Sequence, residues 1–154
     1  MYSYHHYTHW RQELGRSDFS FGQFGENFTV DHLAEEDVYI GDAFRVGSAL
    51  VEVSQPREPC FKLGLRMDLP TFPKMFLASG KIGFYLRVLE EGAVRAGDVM
   101  ELETEGAGRL SIHTLWQMTF QGEADPAVIQ SALDHPALAP AWRRMLEKRL
   151  HRIS

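Results

Sequence analysis

Ala43-Phe44-Arg45-Val46-Gly47-Ser48-Ala49-Leu50-Val51-Glu52-Val53-Ser54-Gln55-Pro56-Arg57-Glu58-Pro59-Cys60 is the stretch on which the reading of this chain turns. Phe44 and Val46, then Ala49, Val51 and Val53, alternate with Arg45, Glu52 and Ser54. An apolar residue at every second position is the signature of a half-buried strand. Gly47-Ser48 bends that strand, so residues 43–55 are expected to form one bent element. The strand runs into Pro56 and Pro59, and the second proline pushes Glu58 toward an extended backbone. The result is a shaped loop at a strand end that carries Cys60, the one cysteine in the sequence.

A lone cysteine is in most proteins a small core side chain. Here Arg57 and Lys62 flank it, and cations would stabilise a thiolate. Thiolate sulfur is a preferred ligand of soft metal centres, so Cys60 reads either as a metal ligand or as a buried filler. A Cys-His-Asp hydrolase is a further option in principle, although no histidine is close to Cys60 in sequence.

Outward from this stretch, Tyr7, Trp10 and Leu14 recur at helical spacing and predict a short helix over 4–14. Phe19 to Val30, rich in glycine and phenylalanine, reads as loop running into strand, and Asp37 to Asp42 as a strand closing at Gly41. Residues 66–74 form a polar, proline-marked segment. A short helix over Pro73–Ser79 ends at Gly80, and strands follow at 82–89 and 99–103. After Gly106-Ala107-Gly108 the pattern becomes helical. Asp125-Pro126 is a cap followed by proline at the first helical position. Ala139-Pro140 opens a helix with Trp142, Met145, Leu146, Leu150 and Ile153 on one stripe. The expected organisation is a β-rich body over 1–104, a glycine hinge, and an all-helical tail over 109–154.

Composition narrows the function. At 154 residues and 44% hydrophobic, the chain can bury one substantial core. A net charge of −5 lacks the basic footprint of a general nucleic-acid binder. No run approaches the roughly 18 apolar residues of a membrane span, and the first residues lack a signal peptide's cationic start and apolar core. A single cysteine excludes an internal disulfide framework and favours a reducing compartment, so a cytoplasmic location is expected.

Other motifs leave two readings each. His5, His6 and His9 cluster on the first helix, and His5 and His9 are spaced i, i+4 as zinc ligands can be, or they are an exposed polar face. Ser79-Gly80-Lys81-Ile82-Gly83 offers free amides and a cation, as a phosphate-cradling turn would, or is a tight turn opening a strand. Arg87 is solvated or binds an anion. Glu26 and Asn27 satisfy buried backbone groups or hold a polar ligand. Arg143, Arg144, Lys148, Arg149 and Arg152 sit late in a helix, where they complement its dipole.

Taken in order, Gly22-Gln23-Phe24-Gly25-Glu26-Asn27-Phe28-Thr29, Val38 to Asp42, Phe44 to Ala49, Gln55-Pro56-Arg57-Glu58-Pro59-Cys60 and Ser79 to Gly92 resemble the MOSC proteins, in particular their YiiM-type branch. The tail from Pro136 through Trp142 to Leu150 resembles that branch's C-terminal three-helix segment. The resemblance covers nearly the whole chain. It implies a mainly β barrel (an α+β, MOSC-like fold) with the helical tail. It also implies a molybdenum-cofactor oxidoreductase that reduces N-hydroxylated bases and related N-oxygenated compounds. Cys60 is then the molybdenum ligand and the catalytic residue. Arg57, Lys62, Lys81 and Arg87 are candidates for the anionic pterin phosphate, and Gln55 and Asn27 complete the cofactor-binding set. No flavin, haem or iron–sulfur motif is present, so electrons would come from an external redox protein. The substrate would be a small molecule.

The strands and the His-Gly-Gly-x-Asp-Arg segment that begin the family pattern fall before Met1, so the barrel is expected to be N-terminally incomplete. An open edge invites a homodimer. The alternatives are a non-catalytic carrier of cofactor or sulfur, and a truncated, inactive homologue.

Overall fold

The computed structural model describes residues 1–122 and 125–153. Strand β1 (Tyr2–Ser3) leads into helix α1 (Tyr4–Leu14), which ends at Gly15 in a left-handed conformation. Strand β2 (Thr29–Val30) returns to lie parallel to β1, pairing Tyr2 with Thr29 and Ser3 with Val30. Strands β3 (Ala43–Val46) and β4 (Ala49–Pro56) form an antiparallel hairpin. Helices α2 (Phe61–Met67) and α3 (Phe72–Ser79) follow. Strands β5 (Phe84–Glu90) and β6 (Met100–Thr104) complete a four-stranded antiparallel sheet in the order β5-β4-β3-β6. The tail holds α4 (Ile112–Phe120), α5 (Pro126–Asp134) and α6 (Pro140–Ile153).

The expected barrel is not formed. The architecture is α+β, with an open sheet of four strands and six helices among the described residues. Closure needs enough strands, tilted and staggered, for the last to meet the first. Here β5 and β6 are the two edges, and no ladder joins them among the described residues. Two segments read as sheet strands go elsewhere. Residues 37–42 contribute one isolated bridge, between Tyr39 and Ser111, and Thr29–Val30 pairs with β1 in a separate small sheet.

The expected bend at Gly47-Ser48 is a reversal. Gly47 has φ +56, and a Cβ there would stand 2.2 Å from the carbonyl oxygen of Ala93. Only glycine permits that turn and that approach together. The segment after Cys60, to which the sequence assigns no element, is helix α2, and it takes in the first two residues of the polar segment read over 66–74.

Two cores meet at α4. Phe44, Val46, Val51, Val53 and Phe84 of the sheet pack with Ile112, Leu115, Trp142 and Leu146 of the tail. The period-two face of β3 and β4 is thus buried by the helical stripe of α4 and α6. The second core is aromatic: Tyr2, Tyr7 and Trp10 from the N-terminal segment, Phe24 from the loop, and Phe72 and Phe76 from α3. Trp116 of α4 belongs to this second core and donates its indole N–H to the Leu77 carbonyl at 2.8 Å. Among the described residues, no helix is long and apolar enough to cross a membrane.

Candidate functional site

Strand β4 delivers Gln55 and Pro56 opposite Tyr85 and Phe84 of β5. The chain then leaves the sheet. The backbone N–H of Arg57 donates to the Gly83 carbonyl at 3.1 Å, which fixes the start of the loop. Cys60 sits immediately before α2 with an extended backbone, and its carbonyl accepts the Leu63 N–H at 2.9 Å. Its thiol is free and exposed. The filler reading of Cys60 therefore fails: the side chain packs into neither core.

Arg57 is half-buried, with its guanidinium over the Phe76 ring at 5.5 Å from the centroid. One terminal nitrogen, Nη2, donates to the Phe24 carbonyl. The other, Nη1, is buried and has no hydrogen-bond partner. A buried unpaired donor on a cation is costly to leave unmade. Gly25, at φ +84, lies against this group, and a Cβ there would stand 3.5 Å from Nη2.

A second arginine, Arg66 of α2, holds the same loop by donating from Nε to the Gln23 carbonyl at 2.8 Å. The 22–27 loop is therefore strapped to the Cys60 segment at two points. Sequence reasoning missed Arg66, because nothing local links position 66 to position 23. Lys62 is exposed on the first turn of α2.

Glu26 serves the loop itself. Its carboxylate accepts the Phe24 N–H at 3.0 Å, the Thr29 hydroxyl at 3.0 Å and the Tyr7 hydroxyl. Burial and this neighbouring carboxylate push the Tyr7 hydroxyl up to about 12. Asn27 is exposed on the loop's other side, where it lines a cleft of about 590 Å³ with Phe21, Phe28, Val94, Arg95 and Met100. Cys60 and Arg57 do not line this cleft.

The remaining sequence candidates stand elsewhere. Arg87 on β5 donates to Glu52 at 2.7 Å and to the Ala137 carbonyl at 3.3 Å. Lys81 is half-buried and close to His9, whose ring is held below its ordinary range by burial and by the Lys81 charge. The turn before Lys81 is closed by the Ser79 hydroxyl, which accepts the Lys81 N–H at 3.0 Å. The side chain of Gln55 is half-buried on β4. So Arg57, Cys60 and Lys62 share one loop and helix start, Asn27 lines the separate cleft beside the 22–27 loop, and Lys81, two positions before Gly83, and Arg87 on β5 are placed by other elements.

Behind the site is a buried histidine–carboxylate hydrogen bond that sequence reasoning did not find. Glu35 accepts the Gly83 N–H through Oε1 at 2.7 Å and bonds the His6 ring through Oε2 at 2.7 Å. Gly83 in turn receives Arg57, so Glu35 helps fix the segment that carries the guanidinium.

This arrangement of an exposed thiol, two loop-strapping arginines and a glycine-rich loop coincides with a family match. The MOSC domain model covers residues 1–101, and the model described as "YiiM-like, 3-alpha helix domain" covers 110–152. The chain belongs to the MOSC domain family. Within it, the helical tail sets it beside the YiiM-like proteins. It is 37% identical over 153 residues to the uncharacterised protein YflK of Bacillus subtilis, covering 99% of this chain and 69% of that one. The crystal structure of YiiM from Geobacillus stearothermophilus superimposes with a TM-score of 0.92 at 42% identity, over 97% of this chain and 76% of that one. A Gibberella moniliformis protein named "Reductase" is 38% identical over 104 residues, covering 66% of this chain and 18% of its own length.

Proposed function

We propose that this protein is a molybdenum-cofactor-dependent oxidoreductase acting on N-hydroxylated bases or related N-oxygenated compounds. The observation that carries this reading is the unpaired, buried Nη1 of Arg57, three positions from the exposed thiol of Cys60. The donor chemistry fits a pterin-bound molybdenum. Thiolate sulfur suits the metal, and a guanidinium with a free nitrogen suits a phosphate or pterin oxygen. The relative named a reductase supports redox chemistry for the class.

When bound, the cofactor supplies two-electron chemistry at molybdenum. Cys60 Sγ would be the protein donor to the metal. Arg57 would offer Nη1 to an anionic oxygen of the cofactor, with Nη2 on the Phe24 carbonyl. Lys62 adds positive charge from the first turn of α2. Gly25 lets the loop backbone lie against the guanidinium. Asn27 presents an amide to the neighbouring cleft, whose apolar walls at Phe21, Phe28 and Val94 suit a planar base. Arg87 and Lys81, which the resemblance nominated for the phosphate, have other neighbours in this structure and are weaker choices than Arg57 and Lys62. Electrons come from a separate redox protein in a reducing, cytoplasmic setting.

A carrier role is favoured by one observation: Cys60 is exposed and lies outside the cleft. A carrier would hold cofactor without turnover. The deciding experiment is purification from a host that makes the cofactor, followed by metal analysis and an assay with an N-hydroxylated base and a supplied reductant. Metal with turnover supports the oxidoreductase, metal without turnover supports the carrier, and neither supports an inactive homologue.

A further inference from the structure

The parallel pairing of β1 and β2 sends both chains out of the small sheet at the same end. His5 follows β1 by two positions, and Asp31-His32 follows β2 directly. Strand direction alone therefore juxtaposes residues 27 apart in sequence. The structure closes that juxtaposition. His5 Nε2 is 3.1 Å from His32 Nδ1 and 3.5 Å from Asp31 Oδ1. His32 Nε2 is 3.2 Å from Asp31 Oδ2. One donor atom from each side chain lies within 4.8 Å of the others.

We propose that His5, Asp31 and His32 form a surface site for a divalent transition-metal ion of the zinc class, separate from the Cys60 segment. The ligand set is the reason. Two imidazole nitrogens, borderline donors, and one carboxylate oxygen are a ligand set that zinc takes, with water in the fourth position. A tetrahedral ion with bonds of about 2.0–2.1 Å sets its ligand atoms roughly 3.3–3.4 Å apart. The 3.1 and 3.5 Å separations at His5 stand on either side of that value; His32 meets His5 through Nδ1 and Asp31 through Nε2, so one ion takes a single nitrogen of that ring, with the three donor atoms inside 4.8 Å of one another.

The backbone supplies a second reason. His32 is held at φ +61, the left-handed region that a side chain other than glycine enters at a cost. Its ring lies beside that of His5, with ring centroids 5.0 Å apart. All three side chains are exposed, so an ion has direct access. The i, i+4 pair suggested by sequence is not the site: His9 rests edge-on against Trp10 at 4.7 Å and is not part of the group. Zinc would clip the start of α1 to the exit of β2 and so restrain the loop between them.

Titration calorimetry of the tag-free Cys60→Ser protein with zinc chloride tests this without involving the thiol. One ion per chain should bind, with Kd on the order of 10 μM. His32→Asn tolerates the left-handed backbone and removes the imidazole, and should weaken binding roughly tenfold or more. His9→Gln should leave affinity within about twofold. Saturating zinc should raise the Tm of the parent by a few degrees and leave that of His32→Asn unmoved. Circular dichroism of His32→Asn confirms that it is folded, and His5→Gln provides an independent second variant. Absence of saturable binding overturns the proposal, as does zinc binding that survives both His32→Asn and His5→Gln. In either case the three side chains are no more than a hydrogen-bonded surface cluster.

Discussion

Replacing Glu35 with alanine removes the acceptor for two buried groups at once. Its Oε1 takes the Gly83 N–H and its Oε2 bonds the His6 ring, both at 2.7 Å, and Glu35 is only 2% exposed. Each of the two groups left buried and unpaired costs about 1–3 kcal/mol, so the two together cost about 2–6 kcal/mol. A loss of about 2–6 kcal/mol is therefore expected, a large share of the roughly 5–15 kcal/mol that holds a domain together. With a urea m-value of about 2 kcal/mol/M, the midpoint should fall by about 1–3 M. Unfolding followed by tryptophan fluorescence measures this directly, since Trp10 and Trp116 both lie in the neighbouring aromatic core. Glu35→Gln keeps the shape and an acceptor for Gly83, and should lose only about 1 kcal/mol. A double-mutant cycle with His6→Ala should show coupling above about 0.5 kcal/mol. A Glu35→Ala midpoint within about 0.25 M of wild type would refute the reasoning and show that both groups find other partners.

Trp142→Ala should cost about 3–5 kcal/mol, because the ring is fully buried between the sheet and the tail; a thermal melt within a degree of wild type would mean the tail does not share the sheet's core. Tyr7 gives an alkaline signature. Its hydroxyl titrates near 12 in the folded protein against an ordinary value near 10. The unfolded chain thus releases that proton first, so the associated stability, up to about 2–3 kcal/mol, is present below pH 10 and is lost as pH rises toward 12. Tyr7→Phe should flatten that part of the stability-against-pH curve. Edge strand β6 exposes Leu102, and Val99 beside it is also exposed, so light scattering should show concentration-dependent self-association that Leu102→Lys suppresses.

Local signals in the sequence located local structure. Tyr7, Trp10 and Leu14 marked α1 over 4–14, where the structure has it, because helical spacing acts within one turn. The alternation in 43–55 marked the buried face of β3 and β4 but not the reversal at Gly47, whose necessity lies in the approach of Ala93 from another loop. Val38 and Ile40 alternate like a strand and are fully buried, yet Tyr39 makes only one bridge, since pairing depends on a partner 72 positions away. The barrel failed for the same reason: closure is a long-range property that alternation does not encode. Helix α2 was hidden because prolines precede it, Gly64 interrupts it, and Phe61 and Leu65 on its outer face are exposed. Arg57 and Cys60 stand on one loop because they are three positions apart in the chain, so their proximity could be read from order alone. Arg66, the Glu35–His6 pair and the His5–Asp31–His32 group could not, because each joins residues that only the fold brings together.

The central claim is that Cys60 and Arg57 hold a molybdenum cofactor. Its most direct test is molybdenum per chain, by elemental analysis, for wild type, Cys60→Ser and Arg57→Met purified from a cofactor-producing host. Cys60 is exposed and Ser is nearly isosteric, so the serine variant should melt with the wild type. The account predicts close to one molybdenum per wild-type chain, a large loss in Arg57→Met, and loss of the metal's thiolate signature in X-ray absorption of Cys60→Ser. Wild-type protein without molybdenum, or all three proteins with equal metal and identical spectra, would contradict it.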